Sequence, residues 1–175
     1  MEQSFNQVCD EVLSRLESDE HLIISLAGEN SVFIRFNNAR IRQIGQVDDA
    51  SISLNLMKNN RSSRGGCTFR GDKNIDLPRI LKELNRLRAE VDQLLVDPFI
   101  VLPENHGSTR EANTGNILPN DEIVNAVLPV VQGVDFTGIW ASGPMYRGSA
   151  NSAGQRHWFS TETYSLDYSL ITPDE

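Results

Sequence analysis

The sequence is poor in the residue types that build metal centres and disulfide frameworks. Its two cysteines, Cys9 and Cys67, are far apart and form no CxxC motif, which indicates two reduced thiols in a cytoplasmic protein. The three histidines, His21, His106 and His157, also stand apart, whereas a helical zinc site needs two of them within about one turn. We therefore expect this chain to hold no metal ion and no other cofactor.

Motifs for nucleotide binding and for nucleophilic catalysis are also missing. The segment GCTFRGDK, residues 66–73, approaches a P-loop, but Asp72 stands where that loop needs a lysine. A carboxylate at this position would repel a phosphate. Neither GxGxxG nor GxSxG occurs in the chain, so there is no dinucleotide fingerprint and no nucleophile elbow. These absences predict that the chain has no catalytic residues of its own.

Long apolar runs are absent as well. No stretch approaches the roughly 20 apolar residues that span a bilayer, and the acidic N-terminal segment MEQSFNQVCDEV is unlike a secretory signal. Hydrophobic residues make up 39% of the chain and charged residues 23%, as is typical of globular proteins. We expect a cytoplasmic protein without membrane contact, in which residues 1–175 form a single domain.

Charge is unevenly distributed along the chain. The net charge is −8, yet residues 35–88 carry twelve lysines and arginines against five acidic residues. This positive segment is either a solvated sheet edge or a patch that binds an acidic partner or nucleic acid. The negative charge of the whole chain argues against nucleic acid. The patch would centre on Arg61, Arg64, Arg70 and Lys73.

Apolar residues at helical spacing predict three amphipathic helices. The first covers about residues 4–18, where Ser4 and Gln7 match a capping box. The second begins with a cap at Asp76 and ends at Asp97, before a proline. The third opens at Asn120 and is stopped or kinked by a proline nine residues later.

Alternation of apolar and polar residues predicts antiparallel strands before the second helix and after the third. The early strands are separated by turns at GEN, NNA and NNR, and the alternation is strict over residues 163–170. Residues 98–120 are rich in proline, glycine and asparagine and predict a functional loop or a linker. The order of helix, strands, helices, strands predicts an α+β fold with mostly antiparallel sheet.

The end of the chain carries a recognisable run of residues. The stretch GVDFTGIWASGPMYRGSANSAGQRHWFSTETYSLDYSL resembles the end of the N-terminal domain of the TldD/PmbA family, which has a D…G…ASG…G.ANS.G run followed by aromatic-rich strands. The stretch SVFIRFNNARIRQIGQVDDASISL resembles the early hairpin of that family, and LRAEVDQLLVDPFIVLPEN resembles its middle. The resemblance covers nearly the whole chain and implies a TldD/PmbA N-terminal domain-like fold.

The resemblance also implies a function. Members of this family, formerly labelled modulator of DNA gyrase, are cytoplasmic two-domain proteins of bacteria and archaea that form dimers. A TldD-like subunit carries a zinc HExxxH motif in its C-terminal domain, and the dimer is a metallopeptidase that hydrolyses small or unfolded peptides. This chain contains no HExxxH, so any zinc would belong to the C-terminal domain of the parent protein.

The resemblance therefore implies a non-catalytic N-terminal domain. It would support assembly with its own C-terminal domain and with a TldD/PmbA-like subunit, in a homodimer or heterodimer, and would give peptide substrates access for proteolysis. The parent protein would be the metallopeptidase or its metal-free partner subunit. The alternative is a free-standing binding module that uses residues 35–88 for an acidic partner or nucleic acid.

Residues 146–158, YRGSANSAGQRHW, are the candidate site. Asn151 to Gly154 predict a hairpin turn, because asparagine and serine bond their own backbone and glycine permits positive φ. The turn serves either folding alone or contact with the catalytic domain, the partner chain or an extended peptide. For Trp158 a docking anchor and a core position are both open, and we favour the anchor. The candidate partner-facing residues are Tyr146, Arg147, Asn151, Ser152, Gly154, Gln155, Arg156, His157 and Trp158.

Overall fold

A computed structural model describes residues 1–172 of the chain. The described part contains helices, strands and one sheet, as predicted. The elements are α1 (Glu2–Leu13), β1 (His21–Asn37), β2 (Arg40–Lys58), β3 (Arg61–Thr68), α2 (Lys73–Val91), β4 (Thr109–Ala112), α3 (Ile123–Val127), β5 (Asp135–Asn151) and β6 (Arg156–Ile171). The strand order in the six-stranded sheet is β3-β2-β1-β5-β6-β4. The α+β class with a mostly antiparallel sheet is confirmed. Within residues 1–172, no helix is long and apolar enough to cross a membrane.

Two tight turns join β1, β2 and β3. Asn38 and Ala39 have φ values of 49° and 51°, and Asn59 and Asn60 have values of 50° and 55°. Two consecutive left-handed residues are the requirement of a type I′ turn, whose twist matches that of the strands it joins. The antiparallel pairing of β2 with β3 starts next to the second turn. The predicted turns at NNA and NNR are thus confirmed.

The predicted break at GEN is wrong, because β1 continues through residues 28–30. A Cβ atom placed on Gly28 would lie 2.7 Å from the Cβ of Ala50. The missing side chain therefore lets two strands approach closely, which is a second common use of glycine within strands. Sequence alone does not separate this use from a turn.

The described residues group into two compact units. We call unit 1 the segments Met1–Gly28, Asp49–Ala112 and Tyr146–Phe159. In this unit α1 packs against α2, and α2 packs against β3. Its core cluster joins one face of both helices to the strands and consists of Phe5, Val8, Cys9, Val12, Leu22, Ile24, Leu26, Ala50, Ile52, Leu54, Leu56, Phe69, Ile80, Leu84, Leu87, Val91, Ala150 and Trp158.

Unit 2 comprises, among the described residues, 29–48, 113–145 and 160–172. It contains one short helix, α3, which packs on strand residues through a small core cluster. Aromatic rings dominate this cluster: Phe36 meets Phe136 edge-on at 5.6 Å, and Trp140 stacks on Tyr164 at 5.0 Å between ring centroids. The core consists of Ile34, Phe36, Ile123, Val127, Phe136 and Trp140.

The N-terminal boundaries of the helices differ from the prediction. In α1, Met1 rather than Ser4 is the N-cap residue, because the amide of Phe5 already donates to the carbonyl of Met1. In α2 the cap is Asp72, whose carboxylate accepts from the backbone N–H of Asn74 at 2.9 Å. An acceptor two residues before the donor is the usual capping geometry.

Asp76, which the sequence predicted as the cap of α2, is instead fully buried within its first turn. Its carboxylate accepts from the backbone N–H groups of Arg70 and Asp72, at 3.0 Å each. These bonds satisfy a buried charge and hold the chain that enters the helix. The carboxylate therefore acts on the preceding loop rather than on the helix terminus.

The C-terminal boundaries are also earlier than predicted for the first two helices. α1 ends at Leu13 instead of residue 18, and α2 ends at Val91 instead of Asp97. The amide of Asp97 donates to the carbonyl of Asn60 at 2.7 Å, so a tertiary hydrogen bond replaces the helical one. α3 starts at Ile123, three residues after the predicted position, and ends before the proline as predicted.

The segment 98–120 is not entirely loop. It contains β4, whose four residues are all exposed at the edge of the sheet beside β6. The amide of Asn113 continues this contact by donating to the carbonyl of Ser160 at 2.9 Å. A strand this short, without buried apolar residues, has no alternating pattern that could predict it.

Candidate functional site

Asn151 organises the turn of the β5–β6 hairpin. Its side-chain oxygen accepts from the amides of Ala153 (3.0 Å) and Gln155 (3.1 Å). Its side-chain nitrogen donates to the carbonyl of Glu104 at 3.1 Å. Gly154 has a φ of 89°, a value that glycine adopts without strain. The predicted hairpin turn is confirmed, and the asparagine is 8% exposed.

Ser152 connects this turn to the start of β1. Its amide donates to the carbonyl of Leu22 at 2.9 Å, and its hydroxyl accepts from the amide of the same leucine at 3.1 Å. Both backbone groups of Leu22 are therefore satisfied by one residue of the turn. These two hydrogen bonds fix the hairpin turn to β1 and give Ser152 a structural role.

Arg156 and His157 are held by residues that precede β4 or begin it. The amide of Arg156 donates to the hydroxyl of Ser108 at 2.9 Å, and the Nδ1 atom of His157 lies 2.8 Å from the hydroxyl of Thr109. The Arg156 guanidinium donates to the Asp10 carboxylate at 2.8 Å. Arg156 and His157, which we predicted to contact an extended peptide, thus already have hydrogen-bond partners within the protein.

Trp158 is 5% exposed and belongs to the core cluster of unit 1. Its ring lies 6.0 Å from that of Phe5 and 6.2 Å from that of Tyr146, measured between centroids. A Cβ atom on Gly148 would lie 2.8 Å from the Phe5 ring, so glycine makes room for this aromatic group. Trp158 therefore occupies a core position and not the docking-anchor position that we favoured, and its ring exposes almost no surface.

The remaining candidates lie at the surface or close to it. Arg147 is exposed, and its guanidinium donates to the carbonyl of Tyr146 at 2.8 Å. Gly154 is exposed at the tip of the turn. Gln155 is half-buried, and its side-chain oxygen accepts from the side-chain nitrogen of Asn151 at 3.3 Å. The structure therefore brings all nine candidates together on one hairpin. Their contact with a partner stays a prediction.

A strongly exposed apolar segment, which sequence reasoning passed over, follows α2. The exposed fraction is 93% for Leu95, 87% for Phe99 and 81% for Val101. Because α2 ends at Val91 and not at Asp97, Leu95 lies outside the helix that the sequence predicted to contain it. The sequence signal was a run of apolar residues without helical or strand period, which begins after α2 and continues into the first residues of the proline-rich stretch 98–120. We call residues 94–102 the apolar segment.

Unit 2 carries a second apolar surface between α3 and the end of β6. A groove of about 430 Å³ is lined by both elements and by the chain that links α3 to β5. Val130 is 82% exposed at its edge, and Leu170 is 57% exposed. We call this surface the apolar groove. Exposed apolar surface of this kind marks interaction sites in many proteins.

Of the twelve lysines and arginines of residues 35–88, four form ion pairs within the described residues: Lys58, Lys73, Arg86 and Arg88. Lys73 donates to Glu11 at 2.8 Å, which lowers the pKa of that carboxyl group. Arg88 forms a bond of 2.7 Å with Glu20, which is 4% exposed. The guanidinium of Arg61 donates to a backbone carbonyl. Of the predicted patch, Arg64 and Arg70 remain as exposed arginines.

The two cysteines are free thiols in unit 1. Burial raises the pKa of Cys9 to about 12, and burial followed by the charges of Asp76 and Glu83 raises that of Cys67. Both thiols are therefore protonated near neutral pH and are weak nucleophiles. Across residues 1–172, no three or more His, Cys, Asp and Glu side chains are arranged to hold a metal ion.

The fold has close counterparts among solved structures. It superposes on TldE from Thermococcus kodakarensis with a TM-score of 0.68 at 10% identity, over 94% of this chain and 42% of that protein. It superposes on a protein described as a modulator of DNA gyrase from Bacteroides thetaiotaomicron with a TM-score of 0.67 at 14% identity, over 97% and 40% of the two chains. A similarly described protein from Thermotoga maritima gives 0.58 at 10% identity, over 94% and 38%.

Comparison by sequence gives no counterpart: no protein-family model matches the chain, and no curated protein does. The chain spans about two fifths of the length of the solved proteins that share its fold. Identities of 10–14% with TM-scores above 0.5 establish the fold. The fold of residues 1–172 is therefore one found in TldE and in proteins described as modulators of DNA gyrase, in agreement with the resemblance of the sequence to the TldD/PmbA family.

Proposed function

We propose that this chain acts as a non-catalytic domain of a TldD/PmbA-like metallopeptidase. It would support the assembly of the parent protein and of a dimer with a TldD/PmbA-like subunit, and would help small or unfolded peptides reach the catalytic domain. The fold match carries this proposal, since 94–97% of the chain superposes on less than half of each longer protein.

The apolar segment supports an assembly role. Leu95, Phe99 and Val101 expose most of their surface, and exposing such side chains to water is unfavourable by about 25 cal/mol for each Å². A polypeptide partner that covers them would recover this free energy. The occupant that we propose is the TldD/PmbA-like subunit of the proposed dimer.

The alternative of a nucleic-acid or acidic-partner module has less support. In the predicted patch, Lys73 is paired with Glu11 and the guanidinium of Arg61 donates to a backbone carbonyl. This leaves two exposed arginines of the patch, Arg64 and Arg70. Counterion release, the main source of affinity for nucleic acid, requires several unpaired cations on one surface. We therefore do not propose nucleic-acid binding.

The test is co-expression of this chain with a TldD-like subunit encoded by the same genome, followed by affinity purification and light scattering. We expect a stable complex that hydrolyses a short unfolded peptide in the presence of zinc. The variant Phe99→Ser should weaken the complex about thirtyfold or more, because a large apolar anchor at an interface contributes at least about 2 kcal/mol.

The matched control is Ile75→Ser. Ile75 is 39% exposed on α2, outside the apolar segment, so its replacement should leave the complex unchanged. Equal weakening by both variants would show that the effect is not specific to the apolar segment. Failure of the wild-type chain to form any complex with the subunit would contradict the proposed function itself.

A further inference from the structure

Unit 2 contains a groove with charged residues in its lining that the proposed function does not use. It has a volume of about 560 Å³ and is lined by the ends of four strands near the β1–β2 turn. This volume lies within the range of small-molecule sites, about 300–1,000 Å³. The groove presents both signs of charge, since its lining residues include Arg35, Arg42 and Asp167.

The charged groups of this groove are not paired with one another. Neither Arg35 nor Arg42 forms an ion pair with a carboxylate belonging to residues 1–172, and Asp167 has no cationic partner within that range. Many charged residues elsewhere in the chain are paired, as in the Lys73–Glu11 bridge. Two arginines and an aspartate that line one groove without meeting leave their charges available to a ligand.

Neighbouring residues hold the groove in a defined shape. The Arg35 guanidinium lies 5.7 Å from the centre of the Phe33 ring and donates to the side-chain oxygen of Gln43 at 3.4 Å. A cation over an aromatic face is attracted to it, which restricts the arginine. The hydroxyl of Thr137 donates to the side chain of Asn37 at 3.1 Å and joins two of the lining strands.

Gly138 fixes the floor of the groove. A Cβ atom at this position would lie 2.7 Å from the carbonyl oxygen of Asp167 and 2.9 Å from the Cβ atom of Tyr168. Glycine therefore allows β5 and β6 to approach closely where the aspartate enters the groove. Any larger residue would meet the backbone of Asp167 and Tyr168 and force β5 and β6 apart at this point.

We propose that this groove binds a short peptide with both termini free. The α-carboxylate would pair with Arg35 and Arg42, whose planar guanidinium groups suit a carboxylate, and the α-ammonium would pair with Asp167. Because the groove has unpaired charges of both signs, it suits a ligand that carries both a positive and a negative group. The choice of a peptide as that ligand rests on the proposed function. The groove would thus select ligands by their charged ends.

The test is a titration of the complete chain with L-alanyl-L-alanine, in which NMR chemical shifts of the backbone amides report binding. We expect saturable shifts in the groove, with affinity lowered about three- to tenfold by Arg42→Gln, as for a solvent-accessible ion pair. Asp167→Asn should lower the affinity for the free dipeptide but not for its N-acetyl form, which lacks the ammonium group. The C-terminal amide should bind more weakly to the wild type.

Two controls preserve the charge change but lie elsewhere: Arg79→Gln on α2 and Asp121→Asn in unit 2. Both residues are exposed and outside the groove, so neither should change the affinity. Equal effects of these controls, equal shifts with acetate or phosphate alone, or no saturable shift at millimolar dipeptide would overturn the proposal. The titration needs no partner subunit. Dipeptide binding without formation of the subunit complex would therefore refute the proposed function but not the proposal for the groove. Formation of the complex without dipeptide binding would refute the proposal for the groove alone.

Discussion

Unit 1 buries eighteen residues in its core cluster, whereas the core cluster of unit 2 consists of six. Unit 1 has two helices of twelve and nineteen residues, and unit 2 has one of five. Burial of apolar surface is the main favourable term in folding, so most of the stabilising surface belongs to unit 1. The groove with unpaired charges and the apolar groove both belong to unit 2.

The two units therefore differ in role: unit 1 provides most of the buried core, and unit 2 carries both grooves. Well-packed regions resist local opening, and binding surfaces are commonly drawn from regions with fewer buried contacts. The predicted site, however, lies on the β5–β6 hairpin of unit 1, where Trp158 and Asn151 are buried. These two residues, which we predicted to face a partner, thus lie in the interior of unit 1.

The largest effect should come from the core of unit 1. Trp158→Ala should lower the free energy of unfolding by about 3–5 kcal/mol, because it removes a buried ring that packs on Phe5 and leaves a cavity. Urea denaturation monitored by circular dichroism measures the change. A loss below about 1 kcal/mol would mean that the ring is dispensable to the core and would restore the docking interpretation.

The next effect concerns the buried ion pair of unit 1. Arg88→Met should cost about 3 kcal/mol, because Glu20 is 4% exposed and would keep an uncompensated charge. The control is Arg86→Met: Arg86 bridges Glu83 and Glu90 from an exposed position, and its loss should cost at most about 1 kcal/mol. Thermal unfolding of both variants provides the comparison, and equal losses would contradict it.

A smaller effect is expected in unit 2. Phe136→Ala should cost about 2–3 kcal/mol, since this ring contacts Phe36 and the 55% exposed Tyr168, which can move to fill part of the space. Hydrogen exchange should speed up in unit 2 and remain slow in unit 1. Uniform acceleration in both units would show that they open together and would end the distinction drawn between them.

The smallest effect should appear on acidification. Burial raises the pKa of Glu20, but the hydrogen bonds from Arg88 and from the Glu17 amide outweigh it, so the pKa is lowered from 4.5. The stability due to this group is therefore present above pH 4.5 and is lost as the pH falls through the lowered value. Denaturant titrations should show a shallower acid decline for Arg88→Met than for the wild type. Parallel declines would exclude Glu20 as the source.

The sequence determined the elements whose signals are local. The turns at Asn38 and Asn59 follow from the tolerance of asparagine for left-handed backbone. The hairpin turn at Asn151 follows from side chains that bond their own backbone. The order of helices and strands gave the α+β class. The D…G…ASG…G.ANS.G run gave a fold resemblance, although no family model matches the chain.

Tertiary structure decided the positions that depend on distant partners. α2 ends at Val91, and beyond it the amide of Asp97 bonds to the carbonyl of Asn60 instead of continuing a helix. Gly28 serves close strand packing instead of a turn. β4 forms beside β6 without any buried side chain of its own. None of these contacts lies within the window over which periodicity can be recognised.

The same reason explains the fate of the candidate site and of the charge pattern. Residues 35–88 are positive as a sequence, yet Lys73 meets Glu11 across 62 positions and Arg88 meets Glu20 across 68. The unpaired charges of Arg42 and Asp167 lie still farther apart in the chain and line one groove. Composition fixes how many charges the protein has, but only the fold brings distant groups together, and that proximity decides which of them pair and which remain available to bind.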